Sequence, residues 1–284
     1  GQLTGTLVAQ QLSNGTISPT YLYSVMYYDN RGRLIQTKSN NYLAGGLEIE
    51  YIAYDFTGKP SQKKHVHQAT GKTTQTEVYV YTYDHVGRLL STTHQLNGGQ
   101  VINLSENTYD ELGRLYTNKK GGVGSTATTY KYNIRSWTKS ITSSLFSQML
   151  YYNDIYGGSK AQYNGNISAM SWTQSNETNP RGYAFAYDNL SRLTSANYLI
   201  NGSTSANNDY KIEKVAYDKH GNITQLQRYG KKDAGTSITS YGLVDNLTLT
   251  YSGNQMIHVA DAAATFSYIE SADFKDKAST VGTI

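Results

Sequence analysis

The sequence predicts an all-β protein, on two observations of composition and one of pattern. Of the 284 residues, 27 are tyrosine, whereas Phe and Trp number only 5 and 2. Tyr, Thr and Val favour strands, and the usual helix formers are sparse. The third observation is a Tyr-Asp pair that recurs between stretches of strand-like alternation. Because other large apolar residues are few, tyrosines are expected to pack the sheets, each with its hydroxyl near water or a hydrogen-bond partner.

The strand before each Tyr-Asp pair alternates between two faces. In the segment VYVYTY, Tyr79, Tyr81 and Tyr83 are expected on one face, because successive side chains of a strand point in opposite directions. The residues between them, Val and Thr, then occupy the other face. This alternation predicts an antiparallel strand rather than a helix.

The residues after the pair predict a tight turn. Asp in Asp-x-x-Gly suits the first corner of a type I turn, where its carboxylate accepts backbone N–H bonds. Gly at the fourth position supplies the left-handed backbone with which such a turn joins two antiparallel strands. Arg-Leu then starts the return strand. Each unit of about 20 to 35 residues is therefore one β-hairpin plus a connection.

Six copies of this motif are well formed. The first four Asp residues follow one another at intervals of 26, 29 and 26 residues. The predicted turn residues, copy by copy, are Tyr28, Asp29, Gly32 and Arg33; Tyr54, Asp55 and Gly58; Tyr83, Asp84, Gly87 and Arg88; Tyr109, Asp110, Gly113 and Arg114; Tyr187, Asp188 and Arg192; and Tyr217, Asp218 and Gly221. Degenerate copies begin at Tyr132, Tyr152, Tyr163 and Tyr251.

The hairpins are expected to assemble side by side. A single hairpin is unstable in water, whereas adjacent hairpins each bury a neighbour's face. Strand twist should coil so long a sheet. We therefore predict one domain over residues 1–284, with about nine hairpin units in a long, curled or spiralling antiparallel sheet. The units are clearest over 21–120 and 181–230 and degenerate over 133–180.

The motif Y-D-x-x-G-R-L at this period resembles the YD repeat, also called the Rhs repeat, over roughly residues 21–260. Bacterial Rhs polymorphic toxins, toxin-complex proteins, wall-associated proteins and the extracellular teneurins of animals carry this repeat. In that family the repeats form a strip of β-sheet wound into a hollow shell, which in the toxins encloses a variable C-terminal toxin domain. The resemblance implies that this chain is a partial shell.

The chain also departs from complete members of that family. It is shorter than a closed shell requires, and it lacks the Pro-rich segment with paired aspartates that closes the shell and cleaves the chain. The resemblance therefore implies the scaffold and neither the enclosing nor the self-cleaving activity. We interpret the chain as a fragment of a larger protein that is secreted or held at the cell surface.

Neither a catalytic site nor a metal site is predicted. The regularly spaced Asp residues fit turn acceptors better than acids or bases, since carboxylates with tuned pKa values lie in clefts. No enzymatic activity and no cofactor are expected. His65 and His67 share one face of a strand, and His85 or His94 is conceivable as a third metal ligand. Exposed polar side chains at a sheet edge are the favoured interpretation, because no Cys or carboxylate cluster completes the set.

The charge pattern argues against nucleic acid as a partner. The net charge is +4, and the basic residues occur in pairs rather than in a stripe. The repeat arginines are instead expected to pair with a turn Asp or to lie over a Tyr ring. The sequence has no run of about 18 apolar residues, so no membrane span is predicted. The absence of cysteine excludes a disulfide framework.

Two functions from different classes follow from the sequence. The first is a non-enzymatic scaffold that encloses or displays a C-terminal toxin or effector domain, with the rest of its own polypeptide as partner. The alternative is a carbohydrate-binding or adhesion module at the cell surface, because exposed Tyr and Trp beside Asn, Asp and Arg suit stacking on sugars. In either case, unpaired strand edges predict self-association of an isolated fragment.

Overall fold

Strands and turns form the described structure. The computed structural model describes residues 1–11, 15–121, 127–206, 209–232 and 241–263, and the side chains of residues 11 and 19 are left out. No helix occurs in these ranges, so the prediction of an all-β fold is confirmed. In the same ranges, no helix has the length and apolar character that a membrane span requires.

The chain divides into two compact units, residues 1–129 and residues 130–284. The single continuous domain stays a prediction. The first unit contains β1 (Gly5–Gln11), β2 (Ile17–Tyr28), β3 (Leu34–Asn40), β4 (Leu47–Tyr54), β5 (Pro60–Gln68), β6 (Gln75–Tyr83), β7 (Leu89–Leu96), β8 (Val101–Tyr109), β9 (Leu115–Lys120) and the first half of β10 (Ala127–Tyr132).

The first unit is an antiparallel meander. Each strand from β1 to β9 pairs with the next, and β9 pairs with the first residues of β10. Because strands alternate in direction, the hairpin turns that begin with Asp lie at one end of the strands. The remaining connections, such as residues 97–100 between β7 and β8, lie at the other end.

The sheet of the first unit has no buried apolar core among its described residues. Its one buried side chain there is Ser18, and large side chains such as Val25 and Tyr27 are exposed. Most other side chains are half-covered by their neighbours on the same face. Backbone ladders, turns and cross-strand contacts therefore hold this part of the chain together.

The second unit continues the antiparallel pattern. Its strands are the rest of β10, β11 (Thr138–Thr142), β12 (Phe146–Tyr151), β13 (Ala169–Gln174), β14 (Arg181–Tyr187), β15 (Leu193–Ile200), β16 (Ser203–Thr204), β17 (Ile212–Tyr217), β18 (Ile223–Lys231), β19 (Tyr241–Ser252) and β20 (Gln255–Asp261). Consecutive strands from β11 to β16 pair, β15 also pairs with β17, and the order then continues to β20.

A buried core does exist in the second unit. A long segment between β12 and β13, residues 152–168, packs on the sheet there. Gly157 lies so close to Leu199 that a Cβ at the glycine would be 2.2 Å from a leucine methyl group, and a Cβ at Gly202 would be 3.4 Å from the ring of Tyr156. The buried apolar residues are Tyr152, Ala169, Ala184, Ala196, Tyr198, Leu199, Val215, Val244 and Leu247.

Among the described residues, tyrosines cover the sheets more than they fill a buried core, and many are half-covered with a hydroxyl that has a partner, as the sequence predicts. Only Tyr152 and Tyr198 are among the buried apolar residues, and Ala, Val and Leu supply the others. The reason is the phenol group: a Tyr hydroxyl needs a hydrogen-bond partner when it leaves water. Most tyrosines therefore lie along the surface of the sheet, where their hydroxyls reach backbone carbonyls or solvent.

Candidate functional site: the Asp turns and their braces

The six well-formed copies all make the same hairpin turn. In each copy the backbone N–H of the fourth residue donates to the Asp carbonyl at 2.9–3.2 Å, and the Asp N–H donates to the carbonyl of the fifth residue at 2.8–3.0 Å. The fourth residue has a left-handed backbone, with φ of 76° at Gly32 and 82° at Gly87. At each of these turns the register shifts by one residue, as a type I turn with a glycine bulge requires.

The carboxylate of each turn Asp binds its own hairpin. In the copy at Asp84, Oδ1 accepts the backbone N–H of Val86 at 3.1 Å and that of Arg88 at 2.8 Å. Oδ2 accepts Nε of Arg88 at 2.6 Å. Both carboxylate oxygens therefore have partners. Asp29, Asp110 and Asp188 repeat this arrangement with Arg33, Arg114 and Arg192.

These bonds lower the pKa of the turn carboxylates. At Asp29 the largest influence is the backbone N–H of Arg33, which lowers the pKa. At Asp84 burial is the largest single influence and raises the pKa, but the backbone and side-chain N–H groups of Arg88 together outweigh it. The pKa is also lowered at Asp55, Asp110, Asp188 and Asp218. The turn carboxylates are thus ionised acceptors, which is unfavourable for general-acid chemistry.

Four of the repeat cations, Arg33, Lys59, Arg88 and Arg192, also reach the next copy. The guanidinium of Arg88 lies over the ring of Tyr109, 4.6 Å from the ring centre. The hydroxyl of Tyr109 in turn donates to the carbonyl of Leu89, the residue after that arginine, at 2.9 Å. We call this arrangement a brace: an Asp holds an Arg, the Arg covers the Tyr of the next copy, and the Tyr bonds back to the chain.

The brace recurs in both units. Arg33 lies 4.7 Å from the ring centre of Tyr54, whose hydroxyl donates to Leu34 O at 2.7 Å. Arg192 lies 4.5 Å from the ring centre of Tyr217, whose hydroxyl donates to the residue after Arg192 at 2.8 Å. Two independent stretches of the chain therefore use the same link between neighbouring hairpins.

Some copies vary the chemistry and keep the geometry. Lys59 replaces Arg in the second copy, lies 5.4 Å from the ring centre of Tyr83 and donates to the carbonyl of Gly87. In the sixth copy Asn222 takes the place of Arg and donates to Asp218 Oδ2 at 2.8 Å. Ser191 replaces Gly and still has a φ of 63°. The position thus fixes the backbone conformation whichever residue occupies it.

Sequence reasoning offered the two roles of the repeat arginine as alternatives. In the structure Arg88 performs both at once, because its Nε binds Asp84 while its flat face covers a ring. The ring belongs to the following copy, Tyr109, which the sequence reasoning missed. The signal available in the sequence was the spacing. A Tyr stands directly before the turn Asp in every copy, and pairing of the strands brings it beside the Arg of the preceding hairpin in space.

The histidines do not lie at a sheet edge, and that part of the sequence interpretation is wrong. His65 and His67 are on β5, which pairs with β4 on one side and β6 on the other. A carboxylate that sequence reasoning missed, Glu48, faces both rings from β4: its oxygens lie 2.8 Å from His65 Nε2 and 2.6 Å from His67 Nδ1. Within the described ranges, no group of three or more His, Cys, Asp or Glu residues is arranged to hold a metal ion.

The other two histidines lie apart from this pair. His94 on β7 packs against the ring of Tyr79, with 4.7 Å between ring centres. His85 stands in the exposed part of the third Asp turn. The four histidines are therefore not gathered at one point.

A cavity of about 400 Å³ opens beside Trp137 in the second unit. Its wall includes the rings of Tyr132, Trp137 and Tyr163 together with the polar side chains of Asn153 and Gln162. Tyr163 is 69% exposed, so its ring is available to a ligand. This combination of aromatic faces and amide groups suits a polar ligand with apolar faces.

Comparison with protein families gave no match, and neither did comparison with curated protein sequences. Comparison with solved structures found toxin-complex assemblies. The Photorhabdus luminescens Tc holotoxin pore with a TccC3 mutation aligns at a TM-score of 0.48 and 15% identity over 87% of this chain. Two TcdB2–TccC3 crystal structures align at TM-scores of 0.32, in the complex with Cdc42, and 0.41, without the hypervariable C-terminal region; identities are 11% and 13%, over 92% and 93% of this chain. The chain spans only 14% to 15% of those proteins.

Proposed function

We propose that this chain is a non-enzymatic scaffold, one segment of a YD-repeat shell that encloses or displays a C-terminal toxin or effector domain of an exported protein. The observation that carries the proposal is the brace. At Arg33, Arg88 and Arg192 it links a hairpin to the next through a charge pair, a cation–ring contact and a hydrogen bond, and it needs no buried core. A wall one sheet thick requires a link of this kind.

The saturation of the turn carboxylates supports a structural role. Asp84 directs both oxygens to its own hairpin, which leaves them poorly placed to exchange a proton with a substrate. Its lowered pKa favours the charged acceptor throughout the neutral range. These bonds of Asp84 support a role of the repeated motif in stabilising a hairpin.

The experiment is limited proteolysis of the protein encoded by the full native reading frame. We expect a segment downstream of the repeats to resist the protease, and to become sensitive when Arg33, Arg88 and Arg192 are all replaced by Ala. Replacement of three exposed residues outside the braces, Lys72, Lys160 and Lys219, by Ala is the control. A reading frame that ends near Ile284, or a downstream domain cleaved equally with and without braces, would contradict the proposal.

The same proposal places the full protein outside the cytoplasm, secreted or at the cell surface. Fractionation of the native host, with an antibody against this chain, tests the location. We expect the protein in the medium or on intact cells accessible to added protease. Recovery in the cytosolic fraction alone would count against export.

The cavity beside Trp137 favours a second candidate function, the binding of a glycan. Aromatic rings with neighbouring amide groups can stack on a sugar and bond its hydroxyls. A glycan array tests it: we expect signals that weaken in Tyr163→Ala and persist in Tyr42→Ala, a tyrosine 77% exposed in the first unit. Signals at background level, or equal loss in both variants, would reject the glycan site.

A further inference from the structure

A second cavity in the second unit has a different character. It measures about 400 Å³, and its wall includes Tyr198, Tyr210 and Tyr241 together with the carboxylates of Glu177 and Asp209. These residues come from β15, from the start of β19 and from the connections before β14 and before β17. None of them belongs to an Asp turn or a brace, so the scaffold role does not account for this cluster.

The three rings form a row in which each ring is almost perpendicular to the next. The ring centres of Tyr198 and Tyr210 are 5.6 Å apart at 76°, and those of Tyr210 and Tyr241 are 5.3 Å apart at 77°. The backbone of the central residue is strained, since Tyr210 has a φ of 47°, which a bulky residue rarely adopts. Strain of this kind is concentrated at ligand sites, where the surrounding structure maintains it.

The two carboxylates each have an oxygen without a partner. Asp209 is only 5% exposed; its Oδ2 accepts the hydroxyl of Ser205 at 2.8 Å, while Oδ1 has no hydrogen bond. Glu177 binds Arg181 at 2.5 Å through Oε1, and its Oε2 also has no hydrogen bond. An unsatisfied buried oxygen is costly, and a positive charge in the cavity would offset that cost.

The charge of the lining selects the sign of the ligand. Among the described residues that line the cavity, Glu177 and Asp209 are acids and Arg181 is the single base. Ring faces carry negative potential and attract cations most strongly where water is excluded. Burial, together with the hydrogen bond of its hydroxyl with Tyr210 and the charge of Asp209, raises the pKa of Tyr241 to about 12, so the phenol stays neutral.

We propose that this cavity is an aromatic cage for a small organic cation, an alkylated ammonium group. The rings of Tyr198, Tyr210 and Tyr241 contact the alkyl groups, and the negative charges of Asp209 and Glu177 in the cavity wall attract the nitrogen. An anion is disfavoured by the same carboxylates. A neutral ligand of the same shape gains only the apolar contact.

The probe is choline, and its control is 3,3-dimethylbutan-1-ol, which has the same shape with carbon in place of the charged nitrogen. Binding to the whole chain is measured by calorimetry or by shifts of tyrosine NMR signals. We expect choline to bind at least tenfold more tightly than the neutral alcohol, the effect of roughly 1.4 kcal/mol of cation–ring and charge attraction. Equal binding of the two would overturn the cation site.

Two variants separate the charge from the rings. Asp209→Asn keeps the side-chain shape and should weaken choline binding about tenfold, and Tyr241→Leu should weaken it by a similar factor. Asp154 lies in the wall of the cavity beside Trp137, so Asp154→Asn is the matched control and should leave the affinity unchanged. Circular dichroism verifies that each variant folds. If Asp209→Asn unfolds, Glu177→Gln tests the effect of the charge in its place.

One outcome supports the proposal and two would contradict it. Loss of choline affinity in Asp209→Asn, with the control unchanged, supports the cage. Unchanged affinity in folded Asp209→Asn or Glu177→Gln overturns the role of the carboxylates and with it the proposal. Binding of glucose or N-acetylglucosamine in place of choline would also overturn it and would assign the cavity to sugars.

Discussion

At the scale of single residues, the fourth position of the Asp turn determines whether the hairpin closes without strain. Gly occupies it in most copies, and Ser191 adopts a left-handed backbone, with a φ of 63°, in one. A residue with a Cβ pays about 1–2 kcal/mol for that conformation, because the Cβ approaches the neighbouring carbonyl. The same backbone is therefore more favourable with glycine.

Gly221 and Ser191 make a matched pair of tests. No atom lies within 4 Å of a Cβ built on Gly221, so Gly221→Ala introduces backbone strain without a clash and should lower the free energy of unfolding by about 1 kcal/mol. Ser191→Gly should raise it, by less, because glycine also gains freedom in the unfolded chain. Denaturant titration measures both. A neutral effect at both positions would show that the turn backbone relaxes.

The residue scale also shows how far sequence reasoning extends. The Asp and Gly positions could be predicted because turn chemistry is local: the bonds of Asp84 to Val86 and Arg88 lie within five residues. Glu48 could not be assigned in the same way, since its contact with His65 joins residues 17 positions apart. Which strands pair, and in which register, had to be known first.

At the scale of the hairpin, the brace should appear as an energetic coupling between two copies. Replacing Arg88 by Ala and Tyr109 by Leu, singly and together, isolates the contact between the two side chains. Arg88→Ala removes the bond to Asp84 whether Tyr109 is present or replaced, so that loss cancels in the cycle. We expect a coupling of about 0.5–1 kcal/mol.

The control cycle pairs Arg88 with Tyr42, an exposed tyrosine in the connection at the other end of the strands. That cycle should be additive within about 0.3–0.5 kcal/mol. A coupling as large in the control cycle as in the Arg88–Tyr109 cycle would mean that the variants act by general loosening of the sheet.

The pair of strands β4 and β5 should make stability depend on acid. Burial, the largest single influence on Glu48, raises its pKa, but hydrogen bonds from His67, Asn41 and His65 together lower it. A lowered pKa in the folded state means that the contribution to stability is present above the ordinary pKa of 4.5 and is lost as the pH falls through the folded value.

The measurement is the free energy of unfolding as a function of pH. In Glu48→Gln the decline of stability below pH 4.5 should become shallower, because the proton taken up by Glu48 on unfolding is removed. Glu111→Gln, at an exposed turn position, is the control and should keep the original slope. A steeper decline in Glu48→Gln would reverse the assigned sign.

Element-scale prediction from sequence succeeded where the pattern repeats. The strands before and after each Asp turn were expected from alternation, and β6 and β7 meet there with Thr82 paired to Ser91 and Tyr83 to Leu89. The long segment 152–168 was recognised only as degenerate. Its role in covering Leu199 depends on a contact across more than forty residues, which no local period encodes.

At the scale of the whole molecule, the two units differ in how stability is distributed. The first has no buried apolar side chain among its described residues, whereas the second buries Leu199 and Val244 almost completely. Apolar burial contributes about 25 cal/mol per Å² removed from water, and a sheet without it depends on ladders and braces. The free energy of local opening should therefore be higher in the second unit than in the first.

Hydrogen exchange tests this inequality. Backbone amides of β15 and β19, which contain Leu199 and Val244, should exchange more slowly than those of β4 and β6. Mass spectrometry of peptides from the intact chain gives the comparison. It is made between central residues of these four strands, each of which pairs with a strand on both sides. Slower exchange in β4 and β6 would show that braces outweigh a buried core.

Unpaired strand edges predict association of the isolated chain, and β1 is the strand at issue. In the described ranges β1 pairs with β2 alone, and it exposes Leu7 and Val8. Val8→Lys places a charge on this edge and should reduce concentration-dependent association in sedimentation, as edge lysines do in natural sheets. Thr57→Lys, on an Asp turn, is the control. No difference between the two variants would locate the association elsewhere.

The braces also bear on how such a chain can lengthen. In a braced hairpin the Arg contacts the copy that follows, and the Tyr is contacted by the copy that precedes, so a copy inserted between two others can make both contacts. The strands absorb differences in length: the connections 41–46 and 69–74 are equally long, whereas β5 and β6 have 9 residues each and β3 and β4 have 7 and 8, so intervals of 26 and 29 residues coexist. Tandem duplication of one coding unit would therefore extend the sheet without altering the copies on either side, whereas a cut inside a unit would leave a cation without its ring.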